Sequence, residues 1–231
     1  SRSARLRHVA HCPAMAGPIT FYFDYISPYA YIAWHEVRRV ATRHGRAVVP
    51  RPILFAALLN THGQKGPAEI PAKRVYTFKD AYRKAHRAGL PPLVPPPGHP
   101  FNPLLALRVT SLLEGADAER AIDALFAATW AEAKGCDTAE RVVGALTTAG
   151  LDAAALVARA AEDDAKARVR SATDEALAAG AFGVPTMIAD GELFWGVDGV
   201  PALDDLLAGR DPLPRELLDR WRDLPASARR I

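Results

Sequence analysis

Strand-forming segments occur only near the two ends of this sequence, and a long helical stretch separates them. The first segment reads ITFYFDY from Ile19, and a second, AVVPRP, follows one helix later. The last two read VPTMIAD and ELFW, and Asp190-Gly191 between them is a hairpin signal. Both ends of the chain are therefore expected to build one sheet, with a helical subdomain made from the middle.

The first unit reads as a strand, a helix and a second strand. Pro28 suits the first turn of a helix, where its missing N–H costs nothing. The stretch after it carries apolar residues three and four apart until Gly45, which is typical of an amphipathic helix. The prolines of the second strand favour its end near Arg51. Such a unit predicts a parallel pair of strands with a right-handed crossover.

The middle of the chain has a different texture. Residues 60–103 are rich in proline and glycine, and the run PPPGHP favours a polyproline-like loop; one helix is expected near TFKDAYRKAHRAG. From Asn102 to about Gly180 almost every segment is helical, and ARAAEDDAKARVRSATDEALAAG is predicted to form one long surface helix. A closing helix is predicted over residues 200–209.

This order of elements predicts an α/β chain with a thioredoxin-like fold and a large all-helical insertion. Residues 17–53 and 171–231 are assigned to the thioredoxin-like domain, and residues 54–170 to the helical insertion subdomain. Residues 1–16 are interpreted as a disordered leader or an expression remnant.

Composition excludes several classes of function. The chain is 49% hydrophobic and 24% charged, as in ordinary globular proteins, and has no apolar run of the roughly 20 residues that span a bilayer. Three arginines within residues 1–14 account for the net charge of +3, so no nucleic-acid partner is expected. Cys12 and Cys136 are far apart in the sequence and form no CxxC pair. Nothing therefore suggests a secreted protein held together by disulfides, and a cytoplasmic location is expected. The histidines show no ligand spacing, so no metal is expected.

Three residues admit both a structural and a functional interpretation. In a thioredoxin-like fold the N-terminus of the first helix favours a thiolate. Ser27 occupies that position; the simpler interpretation is that it is only a helix cap, worth about 1 kcal/mol. Pro185 is either an ordinary strand-edge proline or a cis proline that faces Ser27. Asp24 either orients the site or is a solvated or locally hydrogen-bonded carboxylate.

Four stretches in the expected order carry a resemblance to a known family: FYFDYISPYAY, GQKGPAEIPAKRVYTFKD, FGVPTMI and FWGVDG. The chain resembles the kappa-class glutathione transferases and the 2-hydroxychromene-2-carboxylate isomerases, within the DsbA-like thioredoxin superfamily. The similarity runs from Pro18 to about Leu207.

The resemblance implies a glutathione site. It gives Ser27 the catalytic role, a hydroxyl that hydrogen-bonds the glutathione sulfur, and it places Gln64 where an Asn contacts glutathione in the transferases. It implies that the Val184 backbone holds the cysteinyl part beside a cis Pro185. The remaining glutathione-binding residues that it implies lie at the start of the first helix and around the glutamyl end: Pro28, Tyr29, Trp195, Gly196, Val197 and Asp198.

The implied activity is a glutathione-dependent isomerisation in a homodimer. The glutathione thiolate adds to a small conjugated electrophile from aromatic degradation, and the protein itself has no cysteine at Ser27 with which to cycle a disulfide. Leu59 and Phe101 stand where characterised isomerases have a lysine and a tyrosine. A kappa-like transferase or peroxidase is therefore the alternative, and a non-catalytic thiol-binding module is a third. Lys65, Lys73 and Arg74 either receive a substrate carboxylate or are solvated.

Overall fold

The computed structural model describes residues 17–214 and 216–225 of the 231-residue chain. Within these residues, four strands form one mixed sheet in the order β2-β1-β3-β4. Strand β2 runs parallel to β1, whereas β3 is antiparallel to both β1 and β4. The strands are β1 (Ile19–Phe23), β2 (Val48–Pro52), β3 (Thr186–Ala189) and β4 (Glu192–Trp195). The predicted thioredoxin-like fold is confirmed.

Helices make up most of the remaining described chain. Short 3₁₀ turns lie at Pro67–Glu69 and Val197–Gly199, and a π-helical turn at Ala127–Ala131 follows α5. The helices are α1 (Pro28–Arg43), α2 (Phe55–Thr61), α3 (Pro71–Arg87), α4 (Leu104–Ser111), α5 (Gly115–Phe126), α6 (Ala139–Thr148), α7 (Ala153–Arg159), α8 (Asp163–Ala178), α9 (Val200–Leu207) and α10 (Glu216–Arg222).

The predicted local signals at the first helix and at the hairpin are confirmed. Helix α1 begins at Pro28 and ends at Arg43, just before Gly45. The hairpin between β3 and β4 turns at Asp190 and Gly191, whose φ angles of 51° and 83° both lie in the left-handed region. Two such residues match the twist of the flanking strands, which explains why an Asp-Gly pair stands there.

The single long surface helix predicted near the end of the insertion is wrong. The chain forms two helices there, because α7 ends at Arg159 and α8 begins only at Asp163. Acidic side chains at Glu162, Asp163 and Asp164 suit a helix N-terminus, where the helix dipole is positive. Helix α8 also buries one face, which includes Val169, so it is not a purely exposed helix.

The core lies on both sides of the sheet, because alternate residues of β1 point to opposite faces. Phe21 and Phe23 are fully buried against α1 and the insertion; ring centroids of Phe21 and Trp34, and of Phe23 and Phe126, are both 5.6 Å apart. On the other face Tyr22 packs in a second cluster with apolar residues that include Ala172 of α8. The insertion therefore covers the sheet instead of standing apart from it.

The predicted domain boundary at residues 170 and 171 falls inside the continuous helix α8. The division into 17–53 plus 171–231 and 54–170 stays a prediction. Residues 1–16, interpreted above as a leader, lie outside the described residues. Helix α10 had no counterpart among the predicted elements.

Candidate functional site

The topology brings every predicted site segment to one end of the sheet, the end at which β1 finishes. Helix α1 begins there at Pro28, and four residues separate it from the end of β1 at Phe23. Because β3 is antiparallel to β1, it starts at that end, and β4 then returns to it at Trp195. Strand β2 ends there too, and α2 leads from it to the loop of Gln64.

Ser27 is the N-cap of α1, as the simpler interpretation of the sequence had it. Its backbone is extended (φ −98°, ψ 117°), and its Oγ accepts the N–H of Ala30 over 3.2 Å. The residue is 8% exposed, and the first turn of α1 contains no acidic residue. Among the described residues the Ser27 hydroxyl has no acceptor for its own proton. It is therefore able to donate to a ligand while it caps the helix.

Asp24 lies at the end of β1 and is buried rather than solvated. Its two carboxylate oxygens accept the backbone N–H groups of Ile26 and Phe55 over 3.0 and 2.9 Å. Burial raises the pKa of Asp24 to about 7, although these two hydrogen bonds act in the opposite direction. The carboxylate thus joins the β1–α1 turn to the start of α2, and it titrates near neutral pH.

The Val184-Pro185 peptide bond is cis, as predicted. The pairing of β1 with β3 ends at Tyr22 and Thr186, so Val184 and Pro185 lie just before the first paired residue of β3. The Pro185 carbonyl accepts the N–H of Gly196 over 2.9 Å. This hydrogen bond connects the Val184-Pro185 turn to the end of β4. Val184, just before β3, and Ser27, just after β1, therefore lie at the same end of the sheet.

An aromatic pair lies beside that turn. The rings of Phe182 and Trp195 have centroids 5.1 Å apart, and Trp195 is 52% exposed. A Cβ atom on Gly183 would lie 2.5 Å from Nε1 of Trp195, so only glycine leaves room for the indole there. Gly196 follows with a φ of 74°, a left-handed conformation that favours glycine.

A chain of charged contacts joins α1, α3 and the turn after β4. Tyr29 donates its hydroxyl proton to Asp80 over 2.8 Å, and Nζ of Lys84 lies 2.9 Å from the same carboxylate. Lys84 also lies 2.7 Å from Oδ2 of Asp198, whose side chain is 80% exposed. Burial lowers the pKa of Lys84, but its hydrogen bonds to Asp198 and Asp80 outweigh burial and raise it. Lys84 thus stays charged beside the site.

Asp80 and Lys84 were missed by the sequence analysis, although both lie on α3. Their signal was their spacing of four residues, which places them on one helical face. The spacing alone does not reveal that this face meets Tyr29.

Gln64 is exposed in the loop after α2, and its backbone N–H donates to Leu59 over 2.9 Å. A ring nitrogen of the neighbouring His62 lies 3.2 Å from the carbonyl oxygen of Ala181, which joins this loop to the segment before the cis proline. Gln64 therefore belongs to the same end of the sheet. The basic side chains whose role was left open are exposed: Lys65, Lys73 and Arg74.

The described residues outside this end of the sheet show no reactive thiol and no metal site. Cys136 is buried as a free thiol, and burial raises its pKa to about 12, so it is not a reactive thiolate. The described residues contain no cluster of three or more metal-ligating side chains. Within residues 17–214 and 216–225, no helix is long and apolar enough to cross a membrane.

Comparison with known proteins agrees with this architecture. A 2-hydroxychromene-2-carboxylate isomerase of Sphingobium xenophagum is 29% identical over 196 residues, which cover 84% of this chain and 99% of the relative. A kappa 1 glutathione S-transferase of Caenorhabditis elegans is 27% identical over 214 residues, which cover 86% and 94%. A solved structure of 2-hydroxychromene-2-carboxylate isomerase superposes with a TM-score of 0.76 at 25% identity, over 90% of this chain and 99% of the other.

The family of DSBA-like thioredoxin domains matches residues 18–208. That range contains all four strands and the helices from α1 to α9. The chain therefore belongs to the DSBA-like thioredoxin domain family.

Proposed function

We propose that this chain is a glutathione-dependent isomerase of the 2-hydroxychromene-2-carboxylate isomerase type, with Ser27 stabilising the bound thiolate. The observation that carries the proposal is the state of Ser27. Its hydroxyl caps α1 as an acceptor, but its proton has no acceptor among the described residues. The helix start offers partial positive charge and no competing acid. A hydroxyl held in this way is suited to an anionic sulfur.

The expected decrease in the pKa of the bound thiol is large enough to increase the thiolate fraction at neutral pH. A hydrogen bond to a charged acceptor contributes roughly 1.5–3 kcal/mol, and one pKa unit corresponds to about 1.4 kcal/mol. Ser27 would therefore lower the pKa of a bound thiol by about one to two units. The nucleophile belongs to glutathione, and Ser27 makes its thiolate abundant.

The rest of glutathione is assigned to the same end of the sheet. In this proposal the backbone of Val184, beside Pro185, pairs with the cysteinyl part. Asp198 has one carboxylate oxygen paired with Lys84, and the exposed remainder is free to receive the glutamyl ammonium group. The other proposed binding residues border these groups: Pro28, Tyr29, Gln64, Trp195, Gly196 and Val197.

The proposed reaction uses glutathione as a cofactor. The thiolate adds reversibly to a conjugated electrophile, the former double bond rotates as a single bond, and elimination of the thiolate restores glutathione. The substrate is proposed to be a small intermediate of aromatic catabolism. The isomerase and transferase names carried by relatives of similar length support this assignment.

A kappa-like transferase or peroxidase is the second candidate, and two positions favour it. Leu59 and Phe101 are apolar where the resemblance expects the lysine and the tyrosine of the isomerases. Leu59 lies on α2, and Phe101 is half-buried 6.0 Å from the ring of His99, measured between centroids. Neither provides a charge or a hydroxyl for an aromatic carboxylate.

The proposal also includes a homodimer in the cytoplasm. Val75 and Tyr82 are 55% and 51% exposed, and they lie two turns apart on one face of α3. A second copy of the chain would cover these two apolar side chains. The buried free thiol of Cys136 is consistent with a reducing compartment.

Calorimetry with glutathione tests the site, and turnover tests the reaction. We expect the wild type to bind glutathione, Ser27→Ala to bind it more weakly, and the exposed Ser171→Ala on α8 to behave as wild type. A panel of aromatic-degradation intermediates with glutathione then separates the candidates. Isomer formation with glutathione recovered supports the isomerase, and a stable conjugate supports the transferase. Binding without turnover of any electrophile indicates a thiol-binding module, and absence of binding at millimolar glutathione refutes the proposed function.

A further inference from the structure

The turn between β1 and α1 presents three successive carbonyl groups, and each accepts a hydrogen bond. The Asp24 carbonyl accepts the N–H of Ser27 over 3.2 Å. The Tyr25 carbonyl accepts Nε1–H of Trp130 over 2.9 Å, and the Ile26 carbonyl lies 3.0 Å from Nε2 of His99. Two of the three partners are side chains of the helical insertion, more than 70 residues away along the chain.

The bond from His99 fixes which ring nitrogen carries the proton. A carbonyl oxygen only accepts, so Nε2 of His99 must donate to Ile26. The other ring nitrogen, Nδ1, is buried and has no partner among the described residues. Burial lowers the pKa of His99; the hydrogen bond to Ile26 acts in the opposite direction, and the positive charge of Arg74 lowers the pKa further. His99 is therefore held as the neutral tautomer with its proton on Nε2.

Aromatic rings surround the imidazole and hold its orientation. The centroid of the His99 ring lies 5.3 Å from that of Phe78, 6.0 Å from Phe101 and 5.4 Å from Trp130. All three contacts are edge-to-face. A ring packed in this way has little freedom to turn, so its N–H keeps a fixed direction toward Ile26.

We propose that His99 is a positioning residue, which sets the Ser27 hydroxyl toward the bound thiol by holding the peptide group that precedes it. The inference rests on the proposed function. The Ile26–Ser27 peptide group is bonded at both ends, through its carbonyl to His99 and through its N–H to Asp24. Loss of one bond frees the peptide plane to rotate, and the Oγ of Ser27 moves with it. A hydrogen bond to a thiolate weakens steeply with angle, so a small rotation is enough.

Nothing in the sequence pointed to this residue. His99 lies in the PPPGHP run and has no ligand spacing, which gave it no predicted role. Its partner Ile26 is apolar, and a backbone carbonyl leaves no trace in the sequence. Only the folded chain shows that the proline-rich loop contacts Ile26, the residue before Ser27.

The matched variants are His99→Met and His99→Gln, which are similar in size but differ in whether they can donate an N–H. The ultraviolet absorbance of the bound glutathione thiolate is titrated against pH in each. We expect His99→Met to raise the thiol pKa by about half a unit to one unit, and His99→Gln to restore most of the wild-type value. A purely structural role would lower the melting temperature of both variants and leave the thiol pKa unchanged, and that result would overturn the proposal.

The double variant Ser27→Ala/His99→Met tests whether His99 acts through Ser27. If it does, His99→Met changes nothing further once the hydroxyl is gone, whereas independent effects on the thiol pKa would add. Additive shifts contradict the proposal. If Ser27→Ala shifts the thiol pKa and His99→Met does not, only the positioning role fails. If neither shifts it, or if the wild type binds no glutathione, the proposed function itself fails.

Nitrogen-15 NMR of the wild-type protein provides a test that needs no variant to fold. We expect the His99 ring to show the neutral form with its proton on Nε2, both alone and with glutathione added. A proton on Nδ1 instead would mean that the bond to Ile26 is not made, and it would overturn the proposal.

Discussion

The Nζ atom of Lys84 lies 2.7 Å from Oδ2 of Asp198, and this contact joins α3 to the turn after β4. Lys84 is mostly buried, whereas the Asp198 side chain is 80% exposed. An ion pair with one exposed partner contributes little to stability. We therefore expect the ion pair to matter for ligand binding instead. Lys84 holds one carboxylate oxygen of Asp198 and leaves the other exposed to solvent.

Asp198→Asn is expected to weaken glutathione binding while leaving the melting temperature nearly unchanged. The lost interaction is a hydrogen bond between charged groups, so the dissociation constant should rise by roughly ten- to a hundredfold. Calorimetry and thermal unfolding measure the two quantities. Asp205→Asn, which removes another exposed aspartate paired with Arg210, is the control. Equal glutathione affinities of Asp198→Asn and Asp205→Asn would show that Asp198 does not contact the ligand.

Ser27→Ala is expected to raise the pKa of the bound glutathione thiol by about one to two units. Below that pKa the rate should fall by roughly ten- to a hundredfold if the thiolate fraction limits it. The loss should shrink as pH rises, because the thiol then ionises without help. The turnover rates of the wild type and Ser27→Ala, measured from acidic to basic pH, should therefore approach each other. A loss that is the same at every pH would leave Ser27 as a helix cap alone.

Gly183→Ala is expected to displace the Trp195 indole, because the new Cβ atom would lie 2.5 Å from Nε1. Trp195 is half exposed and can turn away, so stability should change little while glutathione affinity falls. Tryptophan fluorescence and calorimetry report the two effects. Gly144→Ala is the matched control, since a Cβ atom there meets nothing within 4 Å in helix α6. Unchanged affinity in Gly183→Ala would mean that Trp195 does not border the ligand.

Asp24 is expected to make stability depend on pH below neutrality. Burial raises its pKa from 3.8 to about 7. A raised pKa means that the folded state holds its proton longer, so the contribution to stability is full below about pH 4 and is lost as pH rises to about 7. Each unit of that shift corresponds to about 1.4 kcal/mol.

Urea unfolding of the wild type and Asp24→Asn at several pH values between 4 and 8 checks this sign. The wild type should lose stability relative to the variant as pH rises, and the difference should become constant above pH 7. A constant difference over the whole range would show that folding does not raise the pKa of Asp24.

A homodimer is expected in solution, with the exposed face of α3 in the interface. Light scattering should give about twice the 24.9 kDa of the chain. Tyr82→Lys places a charge on the same face, where Val75 is also exposed, and should shift the population toward the single chain. A wild type that stays at the mass of one chain at micromolar concentration would rule the dimer out.

The sequence predicted the sheet better than it predicted the surroundings of the site. Strand patterns, Pro28 and the Asp-Gly turn are local signals, and the structure confirms them. The break before α8 was missed because alanine-rich sequence continues across it and only the acidic residues at its start mark it. The contacts of Asp80 with Tyr29 and of His99 with Ile26 depend on how distant segments pack, which no local pattern encodes.

Strand β1 lies between β2, its near neighbour in the chain, and β3, whose Ile188 pairs with Thr20. During synthesis β1 and β2 leave the ribosome early, whereas β3 is made only after the whole insertion. Loop closure over such a length costs only slightly more than over a short one, but pairing between distant segments is slow. A nascent chain that ends before Val184 contains Ser27 but lacks the Val184-Pro185 turn, which is the other part of the proposed thiol site. We therefore expect ligand binding to begin only after β3 has been translated.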